Sequence, residues 1–149
     1  LDNATDGEYA QDVANDLRAA MQHHAGVFRT QATMDEGVTK IAQLRERVNK
    51  IGLKDKSKVF NTARIEALEV ENLIESAQAT IVSAAARRES RGAHSVNDDG
   101  DTPQNPNGRN DTDWHKHTLW FSEGSRLSYK PVQMKPLTVE SVPLTTRTF

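Results

Sequence analysis

The chain has no cysteine, so neither a disulfide framework nor thiol chemistry is open to it, and its composition suits a reducing compartment. It also lacks an excess of either charge: 19 basic side chains stand against 21 acidic ones, for a net charge of -2. Broad nucleic-acid binding usually rests on a basic domain, and this balance argues against it. No apolar run approaches the ~20 residues that a helix needs to cross a bilayer, so no direct membrane insertion is expected, and no signal peptide is visible. Hydrophobic residues make up only 36% of the chain and the mean hydropathy is -0.71. A core built from so little must be narrow. A glycine-rich phosphate loop is missing as well, and no Ser-His-Asp order stands out, so nothing assembles a self-contained active site.

What is present fits one ordinary domain of 149 residues. The sequence begins at Leu1 rather than Met. With the low hydropathy, this reads as a piece of a longer protein, with a surface that normally faces the rest.

Three helical patterns fill the first two thirds. The first runs from about Glu8 to Arg29, with Val13, Leu17, Ala20, Met21, His24 or Ala25, and Phe28 on one face. Asp6 is its expected N-cap, and Gly26 loosens its end. The second runs from about Thr33 to Ile51. Met34, Ile41 and Val48 repeat every seven residues, with Val38, Leu44 and Ile51 near the complementary seam. Thr33 with Glu36 predicts a capping box, and Gly52 a stop. The third spans about Thr62 to Arg91, roughly 45 Å of helix. Ala67, Ile74 and Ile81 form one heptad series, and Val70, Ala77 and Ala84 the other. A further stripe of Leu68, Ala79, Val82 and Ala86 predicts packing on more than the two sister helices.

Residues 95 to 113 are polar and rich in Asn, Gly and Pro, which marks a flexible loop. HTLWF and RLSYK then flank Ser122-Glu123-Gly124-Ser125, the pattern of a short hairpin. Pro131, Pro136 and Pro143 keep the rest extended. The expected architecture is mainly α: a spectrin-repeat-like three-helix bundle over 1–94, the loop over 95–113, and a β-hairpin with an extended C-terminal tail over 114–149.

Motifs with chemical potential each have a plainer reading beside them. His115 and His117, with Asp113 nearby, put two imidazoles on one side of a strand, but zinc needs further ligands and none is supplied. His23 and His24 are adjacent on a helix, point about 100° apart, and predict one ring inward and one outward. Asp98-Asp99-Gly100-Asp101 fails as a calcium loop because Pro103 falls on a ligand position. Asn3-Ala4-Thr5 and Asn110-Asp111-Thr112 match the glycosylation sequon without a secretory context. Glu69, Glu71 and Glu75 read as a solvated helix face. No metal site is expected.

The densest charge lies in ARRESRGAH, residues 86 to 94. On a helix, Arg87 and Arg91 share a face, and arginine in a last turn complements the helix dipole by about 0.3–1 kcal/mol. Gly92 supplies the left-handed residue that often follows a helix end. Glu89 works against the dipole. A salt link to an arginine, within the motif or on a partner, accounts for it.

IEALEVENLIESAQATIVSAAARRESRGAH followed by DWHKHTLWF and LSYKPVQMKPLTVESVP resembles the C-terminal region of succinate dehydrogenase flavoprotein subunits, and MQHHAGVFRT is similar to the end of the first helix in that family's helical domain. The SRG-H core is shared with fumarate reductase flavoproteins and L-aspartate oxidases; the tail KPVQMKPLTVESVP is more specific. The resemblance implies a longer protein in which flavin-binding and capping domains hold FAD, covalently attached to a histidine. It implies that succinate is oxidised to fumarate by hydride transfer to the flavin, with an arginine moving the proton. Electrons then pass to an iron–sulfur subunit and quinone, peripherally on the cytoplasmic side of a bacterial inner membrane. All those catalytic residues would lie outside this stretch. Arg87, Arg88, Glu89, Arg91, Gly92 and His94 are therefore expected at a domain interface, with no cofactor held by this piece. A fumarate reductase-type domain and a free-standing helical interaction module are the alternatives.

Overall fold

A computed structural model describes residues 1, 6–97 and 108–145. Among them are α1 (Ala10–His24), α2 (Gln31–Val48), α3 (Thr62–Ala86), a single turn α4 (Asp111–Trp114), and strands β1 (Lys116–Phe121) and β2 (Arg126–Pro131). The Asp98–Asp101 stretch and the Asn3 sequon lie outside the described residues.

The three long helices form an up-down-up bundle. Glu8 bridges to Ile51, which sets the start of α1 beside the end of α2. Gln31 Nε2 donates to the Ala85 carbonyl at 2.9 Å, and so ties the start of α2 to the end of α3. Both heptad series of α3 point inward: Ala67, Val70, Ile74, Ala77, Ile81 and Ala84 are all buried. Met34, Ile41, Leu44 and Val48 meet them from α2, and Val13, Leu17 and Ala20 from α1. Each fully buried large side chain contributes about 1.5–3 kcal/mol over its exposed state. Gly37 lets the helices close: a Cβ there would sit 2.6 Å from His24 Cβ and 3.0 Å from Ile81 Cδ1.

Helix ends differ from the sequence reading, and tertiary bonds explain the differences. Asp6 is not the cap of α1. Glu8 donates to the Lys50 carbonyl and accepts from Gly52, which holds the chain extended until Tyr9. The helix stops at His24, so Phe28 is left 79% exposed rather than on a buried face. The capping box of α2 is formed by Thr30 and Thr33, three residues earlier than Thr33 with Glu36. The α2 helix ends at Val48, ahead of Gly52, because Gly52 belongs to the bridge with Glu8. At Arg87 the backbone turns extended (φ -83°, ψ 99°), so α3 is 25 residues long, about 37 Å, and ARRESRGAH is not its last turns.

Part of the second stripe on α3 is covered from within the chain. Ala79, Thr80 and Ser83 face Thr118, Leu119, Trp120 and Phe121 of β1 across a shallow groove. Leu68, further down, stays 42% exposed. The antiparallel β1–β2 hairpin runs in register from Lys116 opposite Pro131 to Phe121 opposite Arg126. Its connection passes through a 3-10 turn at Glu123–Ser125, with Gly124 at φ 70°. Trp114 and Tyr129 meet edge to face at 5.8 Å, and Lys116 Nζ lies 4.7 and 4.2 Å from their ring centres. Residues 132 to 145 carry no regular element and are mostly exposed.

Candidate functional site

The end of α3 opens into a latch centred on Glu89, whose side chain is fully shielded from solvent. The extended conformation at Arg87 is what turns this carboxylate inward. Arg87 Nη1 donates to Oε1 at 2.6 Å and Arg91 Nε to the same oxygen at 2.7 Å. Arg91 Nη2 donates to Oε2 at 3.0 Å, and the Asn110 amide to Oε2 at 2.8 Å. A carboxylate offers about four lone-pair sites, and here all are occupied. Burial pushes the Glu89 pKa up, but the bonds from Arg91, Asn110 and Arg87 outweigh it and hold the group below its ordinary value.

Both arginines reach on from the carboxylate. Arg87 donates to the carbonyls of Trp114 and Lys116 at 2.9 and 2.7 Å and lies 5.1 Å from the Trp114 ring centre. It thereby clamps the hairpin's first strand to the end of α3. Arg91 Nη2 bonds Asp111 at 2.7 Å, and Arg109 Nε bonds the same oxygen at 2.9 Å. Those two guanidiniums, Arg109 first, pull the exposed Asp111 carboxyl down to about 2.

His94 closes the other side. Gly92, at φ 58°, makes the corner of a two-residue turn in which the backbones of Arg91 and His94 bond each other at 2.8 and 3.1 Å. Gly92 thus serves a hairpin-type turn rather than a helix end. Arg29 Nη1 donates to His94 Nδ1 at 3.1 Å. Because a guanidinium only donates, Nδ1 is the bare nitrogen, and Nε2–H donates to the Arg87 carbonyl at 3.1 Å. Burial, joined by the Arg29 charge, lowers the His94 pKa against the opposing pull of the Arg87 carbonyl.

Of the residues singled out from sequence, Arg87, Glu89, Arg91, Gly92 and His94 come together. Arg88 is exposed and makes no ion pair among the described residues. Their i, i+4 helical relation does not exist; two arginines grip one carboxylate instead. Sequence reasoning missed Arg29, Arg109, Asn110 and Asp111. The last three sit in a stretch of loop composition, and only the Arg-Asn-Asp run after Gly108 carries a trace of their role. Asn110 caps α4, its Oδ1 accepting from the Asp113 amide, and its sequon nitrogen Nδ2 donates to the Asp113 carboxylate at 2.9 Å.

The histidine pairs resolve simply. His24 turns inward, its Nδ1 2.9 Å from the Thr33 carbonyl, while His23 is exposed. His115 precedes β1 rather than sharing a strand face with the exposed His117. Among the described residues no group of three metal-ligating side chains stands together. Glu75 is not merely solvated: it pairs with Arg45 across α2 and α3.

The bundle, latch and hairpin define a class of helical domain whose polar groups at the end of α3 are joined in ion pairs. A family model described as fumarate reductase flavoprotein C-term matches residues 14–149, and the chain belongs to that family as a C-terminal domain. The succinate dehydrogenase flavoprotein subunit of Coxiella burnetii is 44% identical over 128 residues, which cover 86% of this chain and 20% of that protein. The fumarate reductase flavoprotein subunit of Escherichia coli is 34% identical over 140 residues, covering 92% and 22%. A solved E. coli quinol fumarate reductase superposes with a TM-score of 0.80 at 33% identity, covering 95% of this chain and 23% of its own. The chain thus spans about a fifth of the length of the curated relatives it matches.

These relatives are flavoprotein subunits. Dinucleotide cradles set phosphates on a helix N-terminus behind a glycine-rich turn from a parallel sheet. Here the described sheet is a two-stranded antiparallel hairpin, and the latch arginines are committed to carboxylates and carbonyls. The described residues do not form such a cradle. No described helix is long and apolar enough to cross a membrane.

Proposed function

We propose that this chain is the structural C-terminal domain of a succinate dehydrogenase flavoprotein subunit, and that its latch face is a domain interface. On this reading residues 1–94 form the bundle, 95–113 the connection, and 114–149 the hairpin and tail. The observation that carries it is Glu89: a shielded carboxylate with every acceptor site filled can neither take a proton from a substrate nor bind one, but it can hold a surface in shape. Arg88, exposed beside it, then faces the preceding flavin-binding and capping domains, which hold the FAD. The whole subunit oxidises succinate to fumarate and hands electrons to an iron–sulfur subunit and on to quinone. It sits peripherally on the cytoplasmic side of a bacterial inner membrane.

Higher identity to the Coxiella succinate dehydrogenase subunit (44%) than to the E. coli fumarate reductase subunit (34%) favours the oxidative direction. The close superposition on quinol fumarate reductase supports the reverse reading. Dye-linked assays of the intact complex with succinate and with fumarate separate the two. The structural role is tested by Arg91→Ala in the intact subunit. Its melting temperature should fall while turnover per bound flavin holds; lost turnover with an unchanged melting temperature would reverse the assignment.

A further inference from the structure

At the far end of the bundle from the latch, residues 53–61 form a loop that is braced from within yet holds two apolar side chains outward. The Asp55 carboxylate accepts from the Ser57 amide at 2.8 Å and its hydroxyl at 3.0 Å. Asn61, only 8% exposed, donates to the carbonyls of Asp55 and Ser57, each at 2.9 Å, and accepts from the Arg64 amide. Out of this frame project Val59, 73% exposed, and Phe60, 101% exposed. Phe60 has φ 52°, a region that bulky residues avoid. As the residue before the N-cap of α3 it stands where a hydrophobic staple would fold onto Ile65. Ile65 is itself 56% exposed, so no staple covers the ring. Lys54, bonded to the Tyr9 hydroxyl, and Lys58 are exposed on the same loop.

The entry of the chain lies at this end too. Lys56 Nζ donates to the Leu1 carbonyl at 2.9 Å, and Leu1 packs on the core. This chain spans about a fifth of the length of its curated relatives, and on the reading above the polypeptide that precedes Leu1 reaches the bundle at this end. We propose that Val59 and Phe60 are a docking anchor that inserts into an apolar, acid-rimmed pocket on the polypeptide preceding Leu1. The inference rests on the reading of the chain as the C-terminal domain of a longer subunit. A loop already held in shape loses little freedom on docking, a buried aromatic dominates such contacts, and lysines beside it select an acidic rim.

The test uses the full-length subunit, with Phe60 replaced by the photocrosslinker p-benzoylphenylalanine and, in a separate preparation, Arg88 replaced likewise. Position 60 should crosslink within the same polypeptide, to residues upstream of Leu1. A crosslink to another chain, to a second copy, or none at all overturns the anchor. If position 88 crosslinks upstream and position 60 does not, the anchor fails and the latch-face interface of the proposed function stands; if neither does, both fail. Phe60→Ser gives a second measure: tryptic cleavage after Lys54 and Lys58 in the intact subunit should rise at least tenfold, and an unchanged rate also overturns the anchor.

Discussion

Replacing Glu89 by alanine should loosen the end of α3 more than any other single change in the polar network. The carboxylate is fully shielded, and its partners Arg87 and Arg91 keep only 15% and 27% of their side-chain surface exposed. Removing one member of a buried charge group leaves the others uncompensated, at a cost of about 3–5 kcal/mol. Arg87 keeps the carbonyls of Trp114 and Lys116, and Arg91 keeps Asp111, so the lower end, about 3 kcal/mol, applies. The Asn110 amide loses its acceptor outright. Hydrogen exchange at Asn110 in the intact subunit reads this directly. A loss of about 3 kcal/mol corresponds to exchange roughly a hundredfold faster, provided the amide opens through the latch. Adding Arg91→Ala to the Glu89→Ala background should then cost much less than Arg91→Ala alone, because the shared bond is already gone. Unchanged exchange at Asn110, or strictly additive costs, would refute the idea that the latch acts as one unit.

The latch also predicts a pH response. His94 has a folded pKa below its ordinary 6.5, so its contribution is complete above 6.5 and fades as the pH falls below that value. Asp111 and Glu89 are likewise depressed, and their contribution fades at lower pH, below the ordinary carboxylate values and down to about 2 for Asp111. Melting temperatures taken from pH 7.5 to 5 should decline, and His94→Gln should flatten that limb; an equal slope in the variant would rule out His94 as its source. Gly37→Ala should destabilise the bundle by about 1 kcal/mol, because the methyl's clash with His24 and Ile81, about 1–3 kcal/mol as overpacking, outweighs the helix-propensity gain of about 1 kcal/mol. Denaturant titration checks this, and a raised midpoint would contradict it.

The core was legible because it follows from periodicity. Ala67, Ile74 and Ile81, spaced by seven, can face a neighbouring helix only together, and the structure buries all three. The hairpin was equally plain, since two apolar-polar strands around Ser-Glu-Gly-Ser have few other ways to pair. Boundaries were harder. Asp6 and Thr33 are good caps by residue type, but capping contributes about 1 kcal/mol, and the Glu8–Ile51 bridge and the Thr30–Thr33 box decided the ends instead. Phe28 continued the apolar stripe in sequence, yet it lies beyond the point where the chain leaves the helix.

What the sequence determined by itself was therefore the bundle, its inward faces, the hairpin and the family. Each rests on short-range spacing or on a run of residues that can be read in one pass. It also showed that Glu89 needed an arginine. Only the tertiary structure decided which arginines, and that Arg109, Asn110 and Asp111 return to complete the group. The same holds for His94, whose tautomer is set by Arg29, 65 residues away. Ion pairs carry no periodicity: a carboxylate is satisfied by any cation that the fold brings within 3 Å, and that distance exists only once the chain has closed.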